Sequence, residues 1–309
     1  MFRYIVRRLL QMILVFIGTT FIVFTLMFAG GEGDPIQNLA GERPVSAIQR
    51  AQLEQQFHFN DPFLTRYWHY LTDLLNLDLG TSLTGRPVWD LITERFPTTL
   101  MLASIAILVT IVFGITAGVI AGIRRGGIFD NITLVVTLII IGIPTVVLAP
   151  IGQLLFGIKW PIFPATANNP ATWYELLLPG IILGMLSVAT AMRLTRASVS
   201  ENLRADFVRT ARSKGIPRRR VIGVHVLRNS LIPIVTFIGV ELGSLMGGAI
   251  ITERIFNITG IGNLLYKSLS LGDAPVVVGT VSVLVVVFLI ANLIVDLLYA
   301  VLDPRIRYE

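Results

Sequence analysis

The 309-residue chain contains no cysteine. That excludes a disulfide scaffold and any thiolate metal or redox centre, and it leaves the compartment open. Histidine is scarce too: His58, His69 and His225 are the three, and none has metal-ligand spacing to another, so no metal site is expected. No G-x-x-x-x-G-K-[ST] run is present, so the chain has no phosphate loop of its own for ATP. No nucleophile-and-base constellation is visible, so no catalytic residue is expected and the chain is not read as an enzyme. Any energy it uses must come from a partner or an ion gradient. Charged residues make up only 14%, outside ordinary soluble composition. The net charge of +6 would suit nucleic acid, but the bases cluster at the ends of apolar segments and no nucleic-acid partner is expected.

Apolar residues make up 54% of the chain, concentrated in runs over residues 9–29, 98–123, 132–156, 176–192, 231–251 and 276–301. The pattern predicts an all-α polytopic membrane protein with six transmembrane helices. The first run is long for a signal peptide and has no clear A-x-A site after it, so it reads as an uncleaved span. Residues 1–29 then form a cytoplasmic N-terminus and the first helix. Residues 30–97 carry Pro35, Pro44, Pro62, Pro87 and Pro97 and alternate turn signals with amphipathic pieces over 45–57 and 64–77. A small external cap between helices 1 and 2 is the expectation. Tyr67, Trp68, Tyr70 and Trp89 in it read as packing or interfacial residues, with peptide contact as the alternative.

Residues 98–302 form the expected five-helix core, and residues 303–309 a cytoplasmic tail. Gly114, Gly118 and Gly122 share a helix face and permit close backbone approach. Pro144 and Pro150 are expected to break the third run. Arg3, Arg7, Arg8, Arg124, Arg125, Arg193, Arg196, Arg305 and Arg307 mark inside segments, whereas residues 30–97 hold nine of the 19 acids, so both termini are placed in the cytoplasm. Two acids, Glu241 and Asp296, lie within apolar runs and are functional candidates by default. Glu241 reads as a contact for a peptide amino terminus, a proton relay, or an interhelical hydrogen bond. Asp296, near the inner end, reads as structural.

Residues 201–235 break the apolar pattern. From Arg204 to Arg228 this stretch holds Arg204, Arg209, Arg212, Lys214, Arg218, Arg219, Arg220 and Arg228 against the single acid Asp206. It is too polar to span lipid and too short to fold alone. Gly215 suits the position just past a helix end, and Pro217 the start of the next helix. The prediction is helix, tight corner, helix, over an elbow of residues 201–229. Val208, Ala211, Ile216, Val221 and Ile222 lie among the charges. A docking elbow for a soluble partner and a basic loop held by anionic membrane lipid both fit these features.

The run from Asp206 to Gly215 (D-F-V-R-T-A-R-S-K-G), then R-R-V at Arg219 to Val221 and H-V-L-R-N-S-L-I-P at His225 to Pro233, resembles the cytoplasmic coupling loop of permease subunits in ATP-binding-cassette importers. It is most similar to the dipeptide, oligopeptide and nickel branch. The general importer signature is E-A-A, three residues, Gly, nine residues, I-x-L-P. Here Arg209-Thr210-Ala211 stands at E-A-A, Gly215 at the Gly, and His225 to Arg228 at I-x-L-P. The first acid and last proline are absent, departures common in the peptide branch. Further matches are D-L-G-T-S at Asp78 to Ser82, R-P-V at Arg86 to Val88, R-F-P-T-T at Arg95 to Thr99, E-x-x-F-x-x-x-G-x-G from Glu253 to Gly262, and D-P-R-I-R at Asp303 to Arg307. The long segment after the first helix resembles the first of the two permease types.

The resemblance implies an importer-type permease in a bacterial inner membrane. It implies a homologous second permease, two ATPase subunits holding ATP and magnesium, an external substrate-binding protein and a peptide substrate. A nickel chelate or glutathione is the alternative cargo. Asp206, Arg209, Ala211, Gly215, Ile216 and Pro217 would couple the chain to the ATPase, and Glu241 would lie on the substrate path. The corner would insert into a groove on the ATPase with Ala211 packed close behind it. An ion-coupled carrier using Glu241 or Asp296 is the reading from another class.

Overall fold

The computed structural model describes residues 2–28, 46–48, 51, 54 and 61–302. Most of the amphipathic piece expected over 45–57, and the tail 303–309, lie outside the described residues. In chain order the helices are α1 (Phe2–Phe28), α2 (Phe63–Leu75), α3 (Val88–Val109), α4 (Thr116–Ile123), α5 (Ile128–Gly142), α6 (Thr145–Gly152), α7 (Trp173–Asn202), α8 (Asp206–Ser213), α9 (Arg218–Arg220), α10 (Leu227–Ser230), α11 (Ile232–Gly248), α12 (Ile250–Ile255), α13 (Ile261–Leu271) and α14 (Ala274–Leu302). π-Helical segments follow α3 (Thr110–Ile115), α6 (Gln153–Lys159) and α9 (Val221–Val226). No strand occurs among the described residues; Thr81 and Pro87 form an isolated antiparallel bridge. The fold is all-α.

Among the described residues, four helices are long and apolar enough to cross a membrane: Val6–Phe28, Val88–Ile123, Trp173–Asn202 and Ala274–Leu297. Two bent pairs raise the number to six if each counts as one crossing: Ile128–Gly142 with Thr145–Lys159, bent by 102°, and Arg218–Ser230 with Ile232–Leu245, bent by 45°.

The chain forms two compact units. The first comprises Met1–Thr99 and Thr259–Leu289. Its core joins Phe24, Phe28 and Tyr67 to Ala274 and Val278, and a neighbouring cluster joins Val88, Leu91 and Ile92 to Ile261, Leu264 and Val276. Tyr67 donates its hydroxyl to the Ile17 carbonyl at 2.8 Å, and Tyr70 hydrogen-bonds Ser282 at 2.6 Å. These two tyrosines are packing residues, whereas Trp68 and Trp89 are exposed. The D-L-G-T-S turn is tied down through Ser82, which donates to the Asp273 carboxylate at 2.7 Å. The boundary expected at Pro97 falls inside α3, which starts at Val88, so the last turns assigned to the cap belong to the second long helix.

The second unit comprises Leu100–Ile258 and Ile290–Glu309 and is organised around α7. A capping box starts this 30-residue helix: the Thr172 side chain accepts from the Glu175 N–H, and the Glu175 carboxylate accepts from the Thr172 N–H at 2.7 Å. The face carrying Gly114, Gly118 and Gly122 lies against α7. A Cβ at Gly118 would stand 2.6 Å from Thr195 Cβ and 2.7 Å from the Met192 carbonyl oxygen, so only a glycine permits this approach. The third apolar run is broken at Pro144 but not at Pro150. Ile143, forced away from the helical region by the following proline, is extended, and Pro144 caps α6. Pro150 sits inside α6 and leads into the π-helical Gln153–Lys159, not into a bend.

Candidate functional site

The elbow grows from the carboxyl end of α7. α8 begins after Ala205, with the exposed Asp206 in its first turn, 3.5 Å from the equally exposed Arg209. Val208 and Ala211 point inward. With Val199, Val221 and Val226 they form a small core, flanked by Val119, Ile123, Leu203, Ile216 and Leu227. Two short helices are unstable alone; this shared apolar face is what holds them.

The corner closes α8 with a Schellman motif. The Ile216 N–H donates to the Ala211 carbonyl at 3.2 Å, and the Gly215 N–H to the Arg212 carbonyl at 2.9 Å. Gly215 takes φ +73°, the left-handed region that glycine enters without steric cost. A Cβ there would meet nothing within 4 Å, so the tip stands free of the rest of the chain. Pro217 caps α9, and Arg212, Gly215, Ile216 and Arg218 line a shallow depression at the tip. Gly215 and Pro217 are exposed, while Ile216 is half-buried.

Ala211 lies behind the corner and faces inward. It is 5% exposed and packs inside the elbow, not toward an outside partner. Val208 and Val221 are equally inward. Val208, Ala211, Ile216 and Val221 thus belong to the elbow's own core, while its outward face is mostly charged and also exposes Phe207 and Val224.

The return limb is π-helical for a reason visible in the side chains. Val221 and Val226 are both fully buried in the same cluster although they are five residues apart. In an α-helix such residues would diverge by about 140°. The i to i+5 bonding of a π-turn brings them onto one face.

The carboxyl end of α7 is also tied on every other side. Arg196 grips Asp130 of α5 with two hydrogen bonds, one of them Nη2 to Oδ2 at 2.8 Å, and the Asp130 side chain is only 1% exposed. Asp130 further accepts the Gly126 N–H at 2.8 Å. Ser198 and Ser230 each donate a hydroxyl to the other's carbonyl, at 3.1 and 3.3 Å. Arg125 donates to Ser200 at 2.9 Å. Sequence reasoning missed Asp130, because the third run was started at Ile132. The available signal was an acid in the first turn of α5 with an arginine near the end of a neighbouring apolar run.

Glu241 lies on α11, half-buried, and accepts a hydrogen bond from the Ser187 hydroxyl of α7. Asp296 is half-buried on α14. The structure therefore brings Asp206, Arg209, Ala211, Gly215, Ile216 and Pro217 together in one elbow. Glu241 belongs to a separate interhelical contact.

Several crossing-length apolar helices, a glycine seam and a basic elbow are the features of a multi-pass membrane protein. Comparison with known proteins gives the family. The profile of the binding-protein-dependent transport system inner membrane component matches residues 114–308, and the amino-terminal profile of the same kind of component matches residues 1–103. The chain is 37% identical over 339 residues to the dipeptide transport system permease protein DppB of Escherichia coli K12, with the whole of both chains covered. It is 35% identical, again over the whole of both chains, to DppB of Alkalihalophilus pseudofirmus and to the glutathione transport system permease protein GsiC of Escherichia coli O6:H1. The chain belongs to the binding-protein-dependent inner membrane components, as a permease of the peptide branch of ATP-binding-cassette importers. It is a multi-pass inner membrane protein of a family of permeases, not of enzymes.

Proposed function

We propose that this chain is the pore-forming subunit of an ATP-driven peptide importer. In this reading it forms the translocation path with a homologous second permease and takes its cargo from an external binding protein. Two ATPase subunits hold ATP and magnesium and drive the cycle through the elbow. The observation that carries the reading is the free corner: a left-handed glycine with open space around it, ringed by exposed bases and held on a buried core. Such a surface spends nothing on its own chain and suits insertion into a partner groove. Asp206 and Arg209 form the outward face of α8, Gly215, Ile216 and Pro217 the tip, and Ala211 holds the tip in place from within.

Dipeptides and short peptides are the favoured cargo, since relatives named for dipeptide and for glutathione transport are similar over the full chain. Glu241, half-buried beside Ser187, is assigned to the substrate path, where a carboxylate suits a cationic amino terminus. Both termini and the elbow lie in the cytoplasm, and the segment before α3 lies outside. A cysteine at Ser46 should react with an impermeant thiol reagent in intact cells with a permeabilised outer barrier; labelling only after lysis would overturn this topology.

The coupling role is tested by Gly215→Val in the purified complex. Uptake and substrate-stimulated ATP hydrolysis should fall together, with poor co-purification of the ATPase. Normal uptake with the ATPase bound would remove the elbow from the mechanism.

A further inference from the structure

We infer that Arg196 and Asp130 are positioning residues that hand movement of the elbow to the membrane helices. This rests on the coupling role of the elbow proposed above.

Four of the five residues 196–200, near the end of α7, engage four different elements. Arg196 holds Asp130 of α5, Ser198 holds Ser230 of α10, Val199 enters the elbow core, and Ser200 takes the Arg125 guanidinium from the turn after α4. Anything that displaces the elbow core must therefore displace this end of α7. The links differ in stiffness. The serine pair is two uncharged hydroxyl-to-carbonyl hydrogen bonds at 3.1 and 3.3 Å, and Arg125–Ser200 is a single hydrogen bond to a hydroxyl; such contacts can re-form after a small slide. The Arg196–Asp130 contact is two-pronged, charged and desolvated: the Asp130 side chain is 1% exposed and that of Arg196 22%. A two-pronged guanidinium–carboxylate contact has a narrow geometric optimum. Separating its partners would leave a buried charge uncompensated, the costly outcome for such a pair. α5 is thus the element held most firmly to α7, whereas the uncharged links to α10 tolerate a small shift. The anchoring of Asp130 extends this to the turn before α5, since the Gly126 N–H donates to the same carboxylate at 2.8 Å.

A pair retained for folding alone has a known substitute. Buried ion pairs replaced on both sides by uncharged groups of similar volume often leave stability unchanged or improved. The structural and positioning roles therefore separate in one experiment. The whole complex, with its second permease, ATPase subunits and binding protein, is reconstituted in lipid vesicles, and dipeptide uptake and ATP hydrolysis are measured together. The double variant Asp130→Asn with Arg196→Met removes both charges and keeps an acceptor for the Gly126 N–H. It should assemble in normal amounts, keep its ATPase and continue to hydrolyse ATP, while uptake per ATP falls by about tenfold, within the range for residues on a coupling network. Arg196→Lys, which keeps the charge and loses the second prong, should fall between the double variant and wild type.

Wild-type uptake per ATP in the double variant would overturn the inference. If the double variant does not accumulate, Arg196→Lys decides: reduced uptake per ATP in an assembled complex supports the joint, while wild-type uptake per ATP, or failure of this variant also to assemble, overturns it. Gly215→Val is run in parallel to separate the two claims. Normal uptake from Gly215→Val sinks the elbow reading itself. Loss of ATPase binding in Gly215→Val, with a normal double variant, sinks only the joint.

Discussion

Gly118 and Gly215 are both required by the fold, for opposite reasons. Gly118 has an ordinary helical backbone and no room: an added Cβ would press on Thr195 and the Met192 carbonyl of α7. Gly215 has all the room the chain could give it and a backbone at φ +73°. One glycine serves packing inside the protein, and the other serves a corner whose outer side is open. The seam is where the molecule holds itself together; the elbow tip, in the reading proposed above, is where it meets a partner. Substitutions at the two places should therefore fail differently.

The largest effect is expected at the seam. Gly118→Val should push α4 from α7 at a cost of about 1–3 kcal/mol or more, because overpacking in a close-packed interior forces backbone shifts. Membrane-inserted protein should drop sharply, seen as reduced yield and a lower unfolding temperature in detergent. A normal yield would mean that the seam is looser than its distances imply.

At the corner the effect should fall on function, not on yield. Gly215→Val meets no atom of this chain but opposes the left-handed backbone, at about 1–2 kcal/mol. Gly215→Asn enters that region more easily. If backbone shape alone matters, the Asn variant should keep most of its uptake; if the partner groove also excludes bulk, both variants should lose it. Either result sharpens the contrast with Gly118, where no side chain is accommodated.

Gly223 belongs to neither class, since a Cβ there meets nothing within 4 Å and its backbone is not left-handed. It lies in the π-turn that aligns Val221 with Val226. Deleting Gly223 should convert this turn to ordinary α-helix with both valines still buried, now four residues apart. The expected outcome is a folded, ATPase-binding complex with uptake reduced a few-fold, because the return limb loses its wider turn. Aggregation would show that the extra residue is needed for folding.

The smallest effects should come from the exposed bases. Arg218→Ala should change uptake by less than about twofold, since solvent-exposed charges contribute little singly, and any loss should shrink at high salt if long-range attraction assists docking.

These contrasts were legible in the sequence to different degrees. The corner was, because Gly215 and Pro217 act through local backbone rules that need no tertiary information. The glycine seam was too, from its four-residue spacing. The inward direction of Ala211 was not: a short basic helix has two faces, and only the presence of Val199 and Val226 beside one of them decides which is buried. The Asp130–Arg196 pair joins residues 66 apart, and no local pattern links them. Prolines were an uneven guide. Pro144 breaks its run as expected, although the 102° bend could not be read from it, while Pro97, Pro150 and Pro179 remain inside helices. In a membrane the neighbouring helices and local π-turns can satisfy the freed carbonyls, so proline alone does not fix an end.

The absence of cysteine makes the central claim directly measurable, since any introduced thiol is unique in this chain. Lys214→Cys, exposed beside the tip, and Ser46→Cys, exposed before α3, are each treated in the intact complex with a short thiol-to-amine cross-linker. The account predicts a covalent adduct with the ATPase subunit from Lys214→Cys and none from Ser46→Cys. An assembled complex that gives no ATPase adduct from Lys214→Cys, or equal adducts from both positions, would contradict it.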